Sequence, residues 1–238
     1  MIKGAASLLL GIRMLLNEAG LRAVLWRMIF LLVVLMLLLT GGVYWLAGYV
    51  AAMWLPEGDA WYWQLVSWFV WLLTILLALV SGVVSYSILA SAVAAPWLDE
   101  LAARTEALAG IQVSGIEASW HLQVLHSLAN SIRPLAGLLG MGFIALPCLL
   151  IPLLGHFLAV GIWSYAGIRF LNFELMDAPA SRRGWDFAAR KSEQNARRFY
   201  YIGFGAMAMA LMLVPVVNLL VVPAGVVALS RSIEGTGS

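Results

Sequence analysis

The chain has 238 residues, of which 63% are hydrophobic and only 11% charged, and its mean hydropathy is +0.94. Ordinary globular domains carry roughly 25% charged residues, so a soluble fold is excluded, and a net charge of +2 leaves no basic field for nucleic acid. The single cysteine, Cys148, lies in an apolar run, which excludes an intramolecular disulfide and makes it a small core residue.

No Asp, Glu, Lys or Arg occurs in residues 28–56, 60–98, 134–168 or 199–230. A membrane-spanning helix needs about 20 predominantly apolar residues. The expected fold is therefore an all-α integral membrane protein with a single membrane domain, 1–238. It combines two long transmembrane helices, two Pro-bent re-entrant (hemi-penetrating) helical hairpins and amphipathic interfacial helices.

Residues 1–18 are expected to form an amphipathic helix in the membrane interface. Arg13, Asn17 and Glu18 interrupt the apolar run, and no A-x-A pattern closes it, so it does not read as a signal peptide. The first transmembrane helix is expected over 21–52. It ends at the acidic turn Pro56-Glu57-Gly58-Asp59, where Trp54, Trp61 and Trp63 fit an interfacial aromatic belt. The second is expected over 62–94, with Ala95-Pro96 as its break, because proline cannot donate to the turn behind it. Over 97–132, Asp99, Glu100, Arg104 and Glu106 alternate with apolar positions, the pattern of amphipathic helices at or outside the membrane.

The expected hairpins 134–173 and 199–230 are built on uncharged runs of 35 and 32 residues, 134–168 and 199–230, each with a proline pair, Pro147 with Pro152 and Pro215 with Pro223. Each is long for one crossing and short for two, which need about 40 residues plus a turn. Half of the 14 Lys and Arg residues fall in 169–198, four more precede the first span, and the turn at Glu57 and Asp59 has none. The positive-inside rule then puts the N-terminus and the basic segment 174–198 in the cytoplasm. Two re-entrant hairpins keep every basic cluster on that side, whereas two kinked full spans do not. Irregular backbone at membrane depth must be buried in protein or line a wet cavity, and paired Pro-interrupted segments point to a transport path.

Enzyme signatures are absent: no H-E-x-x-H, G-x-S-x-G, C-x-x-C or P-loop occurs. No catalytic residue, metal ligand or cofactor is expected. His121 and His126 are five apart, off the i, i+4 spacing of a helical metal site, and with Glu117 they read as a polar helix face. The candidate binding site is Gly20-Leu21-Arg22 at the start of the first long helix. A helix N-terminus offers unpaired N–H groups and about half a positive charge, which suits a tetrahedral oxyanion. Gly20 permits close approach, and Arg22 can bond two oxyanion oxygens. The same residues also suit a topology anchor. Arg169, Glu174 and Asp177, with Asn130 and Arg133 at the other end of the hairpin and Glu100 and Arg104 on the amphipathic segment, are candidates for lining an ion path.

Taken in order, these segments resemble the CysZ family of bacterial inner-membrane sulfate permeases over nearly the whole chain. The resemblance is carried by Ala19-Gly20-Leu21-Arg22, by Ala94-Ala95-Pro96-Trp97 before the Glu/Arg-bearing helix, and by Arg133-Pro134. It continues through the bend at 146–155 and through Phe173-Glu174-Leu175-Met176-Asp177. It closes with Pro215, Asn218 and Leu219 in Met212-Leu213-Val214-Pro215-Val216-Val217-Asn218-Leu219. It implies sulfate entry for cysteine biosynthesis, sulfate held at Gly20, Leu21, Arg22 and Ala23, hemi-penetrating hairpins, and a homo-oligomer in contact with membrane lipid. Relatives often carry a second basic residue after the arginine; here that position is Ala23, so one countercharge is missing. No nucleotide motif supplies energy, which favours passive or ion-coupled movement. A membrane scaffold or regulatory partner without transport is the rival reading.

Overall fold

The computed structural model describes residues 1–54, 61–111, 113, 120–151 and 154–233. The acidic turn at Glu57 and Asp59, Glu117 and Pro152 lie outside them, as do the side chains of His121, His126 and Asn130. All regular structure among the described residues is helical: α1 (Ile2–Asn17), α2 (Ala19–Trp54), α3 (Trp61–Leu108), α4 (Trp120–Cys148), α5 (Leu154–Leu175), α6 (Asp177–Arg182), α7 (Phe187–Ala196), α8 (Arg198–Met212) and α9 (Pro215–Ser232). The chain divides into two compact units, 1–25 with 98–238, and 26–97.

Unit 26–97 holds most of α2 and α3. Its helices keep large apolar side chains in the open: Phe30, Leu37, Leu38, Trp45, Trp68 and Phe69 are all more than half exposed. Ala19–Val50 of α2 and Leu154–Leu175 of α5 are long and apolar enough to cross a membrane. A protein in water does not leave apolar surface of this extent bare. The α2 helix has 36 residues, about 54 Å at 1.5 Å each, well beyond a hydrocarbon core of about 30 Å.

One expected break, at Ala95-Pro96, is absent, and a second proline is also carried inside a helix. The α3 helix runs through Pro96, and α4 runs through Pro134. Each proline removes one helix hydrogen bond, but long flanking helices hold the register, so the ring is tolerated as it is in many membrane helices.

Unit 1–25 with 98–238 is built on glycine-mediated contact. Gly4, Leu8, Gly11 and Leu15 form the buried stripe of α1 at helical spacing, and this stripe packs on α8 and α9. A Cβ at Gly4 would lie 2.0 Å from the Tyr200 carbonyl oxygen, and one at Gly11 2.5 Å from that of Ala224. The opposite side of α1 exposes Ile2, Leu9, Leu10 and Leu16. Protein packing therefore takes one face of the helix and leaves an apolar face exposed.

α4 and α5 pack as one helical hairpin, α8 and α9 as another. The first turns at Leu149–Ile151, where i→i+3 bonds follow Pro147, and Gly155 admits the Cys148 carbonyl. The second turns at Leu213–Val214. Pro215 is the first residue of α9 and Pro223 sits inside that helix, so the bend precedes Pro215 rather than spanning Pro215–Pro223. The basic segment 174–198 is folded, not a solvated arm: it forms α6 and α7, with Arg190 and Gln194 buried.

Candidate functional site

Glu18 is extended and separates α1 from α2. The first amide of α2 to return along the chain is Arg22, whose N–H donates to the Glu18 carbonyl at 2.9 Å. The N–H groups of Ala19, Gly20 and Leu21 precede that bond and have no intrahelical acceptor. The donor set thus begins one residue earlier than the sequence suggests: the Arg22 and Ala23 amides lie inside the helix register, and Ala19 joins Gly20 and Leu21. Leu21 is buried and anchors the turn, while Gly20, Arg22 and Ala23 are exposed. Among the described residues the Arg22 guanidinium has no acidic partner.

The end of α3 holds this turn in place. Arg104 Nη1 donates to the Gly20 carbonyl at 3.1 Å, and Nη2 donates to Glu100 Oε1 at 2.5 Å. Glu100 and Arg104 are one turn apart, so they share a helix face. Asp99 and Glu106 are seven apart and share another face. Eight residues of α3 therefore offer one charged pair to the first turn of α2 and a second charged pair elsewhere.

The second pair enters a larger ionic network. Glu106 is buried and accepts from Arg182 Nε at 2.8 Å and Arg183 Nη1 at 2.7 Å. Arg183 also donates to the carbonyls of Pro179 at 2.8 Å and Ser230 at 3.2 Å. Buried Arg190 donates to Asp177 Oδ1 at 2.7 Å and Ser181 Oγ at 2.9 Å. Partial loss of hydration raises the Asp99 carboxyl to about 6; the Asp177 charge adds to the rise and Arg182 opposes it.

The expected path-lining residues separate into distinct settings. Glu100 and Arg104 join Gly20 at the α2 turn. Asp177 belongs to the Arg190 cluster, with exposed Glu174 on the preceding turn. Arg169 donates to Asn195 Oδ1 at 3.3 Å, on the same short stretch of surface as Asn172 and Arg198. Arg133 lies over the Phe187 ring at 5.9 Å, and Phe187 stacks on Phe173. Asn130 lies on α4, its side chain outside the described set. Sequence reading missed Asp99, Glu106, Arg183 and Arg190 as partners. The seven-residue spacing of Asp99 and Glu106 on α3 was the available signal; the pairing of Glu106 with Arg183 across the chain had none. Among the described residues no group of three His, Cys, Asp or Glu could hold a metal ion.

Comparison with known proteins points to one family. The family model described as sulfate transporter CysZ/etoposide-induced protein 2.4 matches residues 7–223. The chain is 26% identical over 199 residues to the sulfate transporter CysZ of Pseudomonas fluorescens, covering 80% of this chain and 78% of that protein. It is 27% identical over 186 residues to the Vibrio atlanticus protein of the same name, covering 76% and 71%. The Pseudomonas syringae pv. tomato protein, also a sulfate transporter CysZ, is 27% identical over 169 residues, covering 68% of this chain and 65% of its own.

Proposed function

The chain belongs to the sulfate transporter CysZ/etoposide-induced protein 2.4 family, and from that membership we propose that it is a sulfate permease of the bacterial inner membrane, supplying sulfate for cysteine biosynthesis. It is a helical membrane protein and not an enzyme; its relatives are named as transporters. One observation carries the reading to particular residues. The first turn of α2 offers three uncommitted N–H groups and an uncommitted arginine, and Arg104 braces that turn. Sulfate binds there to the amides of Ala19, Gly20 and Leu21, with the Arg22 guanidinium as counterion. Arg104 positions the turn and Glu100 orients Arg104. The protein works as a homo-oligomer with its N-terminus in the cytoplasm, and its two hairpins are re-entrant.

Labelled-sulfate uptake into proteoliposomes tests this. We expect uptake above empty vesicles that falls about tenfold in Arg22→Ala, the scale of one hydrogen bond to a charged group, while Arg27→Ala stays near wild type. Equal uptake by wild type and both variants would remove the site at the start of α2. No uptake above empty vesicles from folded protein would remove the permease reading and leave the scaffold.

A further inference from the structure

Away from the α2 turn, the first turn of α1 and the α7–α8 junction enclose an open cavity of about 310 Å³ whose lining includes Lys3, Arg197, Arg198, Phe199 and Tyr200. The close approach of α1 to α8 creates it. Gly4 abuts the Tyr200 carbonyl and Gly203 abuts Met1, so bulkier residues would hold the two helices apart. Tyr200 OH and Ser7 Oγ share a hydrogen bond at 2.8 Å across the same contact.

The cations here are in different states. Arg197 is committed: it donates to Glu193 Oε1 at 3.3 Å and to the Ser232 carbonyl at 2.9 Å, and lies over the Tyr200 ring at 4.6 Å. Lys3 and Arg198 have no acidic partner among the described residues, and Arg198 lies over the exposed Phe199 ring at 4.9 Å. No acid lines the cavity. Beside the two free cations stand exposed apolar groups: Met1 and Ile2 on one side, Phe199 on the other. A small hydrophilic anion has no use for that apolar rim. A molecule with a charged phosphate and hydrocarbon tails uses both parts.

We propose that this cavity is a binding site for the phosphodiester headgroup of an anionic phospholipid. Lys3 and Arg198 bind the phosphate, and Met1, Ile2 and Phe199 meet the upper acyl chains. The lipid thereby pins α1 against α8 at the membrane surface. The site is separate from the proposed sulfate site and stands whether or not sulfate is transported.

Native mass spectrometry of the detergent-solubilised protein, titrated with phosphatidylglycerol or phosphatidylcholine, tests the assignment. We expect one tightly held phosphatidylglycerol and a much weaker phosphatidylcholine. In Lys3→Gln/Arg198→Gln the phosphatidylglycerol affinity should fall about tenfold or more, since two cations at a lipid surface are removed. Arg13→Gln/Lys191→Gln removes the same charge outside the cavity and should leave the tight lipid in place. An equal fall in both double variants would mean diffuse attraction and overturn the site. Displacement of the lipid by millimolar inorganic phosphate or sulfate would show a site for the free anion and overturn the lipid assignment. Phe199→Ser should weaken phosphatidylglycerol without changing net charge; no change there would remove the acyl contact.

Discussion

Arg22 and Arg104 flank the same helix turn but differ in what already holds them. Arg104 is tied to Glu100 and to the Gly20 carbonyl, whereas Arg22 is exposed and has no acidic partner among the described residues. A ligand can recruit Arg22 without breaking a native bond. Glu18 bears on the same point with the opposite sign. Its carboxylate directly precedes α2, where a negative charge stabilises the helix dipole and repels an incoming dianion. Glu18→Gln should therefore tighten sulfate binding several-fold at low salt, with the gain shrinking as ionic strength rises. Isothermal titration at two salt concentrations checks this; unchanged affinity at both would separate the anion from the α2 start. Asp99 gives a pH prediction. Its folded carboxyl is raised from 3.8 to about 6, so the native state binds the proton more tightly than the unfolded chain does. Stability from this group is present at low pH and is lost as pH rises through that interval. Asp99→Asn should raise the melting temperature at pH 7.5, and the gain should shrink as pH falls from 6 toward 4. A constant gain across that range would mean that Asp99 does not titrate there.

At the scale of elements, the buried Glu106 gathers α3, the α6–α7 segment and, through Arg183, the Ser230 carbonyl of α9. Removing one partner from such a group leaves an uncompensated buried charge, a loss of about 3–5 kcal/mol. Glu106→Ala should accordingly lower the unfolding midpoint sharply in detergent, whereas Glu100→Ala, from a half-exposed pair, should cost less than about 1 kcal/mol. Equal losses would mean that the network does not anchor α6. These elements also mark the limits of sequence reading. The uncharged runs identified the long apolar helices, and the helical spacing of Gly4, Leu8, Gly11 and Leu15 was visible in the N-terminal helix. Two packed helix pairs were legible from the proline pairs, although Pro223 and Pro134 lie inside helices; their re-entrant path is a proposal. A proline's missing N–H is a local cost that flanking turns can outweigh, so its presence alone did not locate a break. The basic segment was read only for its side of the membrane, because charge composition carries no information on long-range pairing. Arg183 acquires Glu106 only when α3 meets the end of α6, and Arg190 acquires Asp177 only when α7 folds back on α6. The start of α2 at Gly20-Leu21-Arg22 was legible as a helix start with free amides. Its donor set was not, because the set depends on helix register and shifts when α2 begins at Ala19.

For the whole molecule, the question is how deep the hairpins go. Both close on themselves at one end. Arg197 at the start of α8 bonds the carbonyl of Ser232 at the end of α9 at 2.9 Å. Arg133 on α4 and Phe173 on α5 meet at the Phe187 ring of α7. Arg133 and Phe173 of the first hairpin thus lie beside α7, and the two ends of the second lie beside each other. Arm length decides little for the first hairpin: α5 has 22 residues, about 33 Å, and matches a hydrocarbon core of about 30 Å. The second is shorter. α8 has 15 residues and α9 has 18, about 22 Å and 27 Å. The tips supply the stronger physical argument. Leu149, Leu150 and Ile151 cap one hairpin and Leu213 and Val214 the other, and all five are exposed. Two full crossings would lift these side chains into water on the far side, while a re-entrant path leaves them in hydrocarbon, where burial of a leucine is worth about 1.5–3 kcal/mol. In a Cys148→Ser background, Leu150→Cys, Leu213→Cys and Lys191→Cys can each be probed with a membrane-impermeant maleimide. Lys191→Cys should react in inverted vesicles and stay unlabelled in intact cells with a permeabilised outer membrane. Leu150→Cys and Leu213→Cys should stay unlabelled in both preparations and react only after detergent is added. Labelling of either tip in intact cells would establish a full double crossing for that hairpin. Labelling of Lys191→Cys from both sides would mean that the protein is inserted in two orientations, and would overturn the single cytoplasmic assignment of the basic segment.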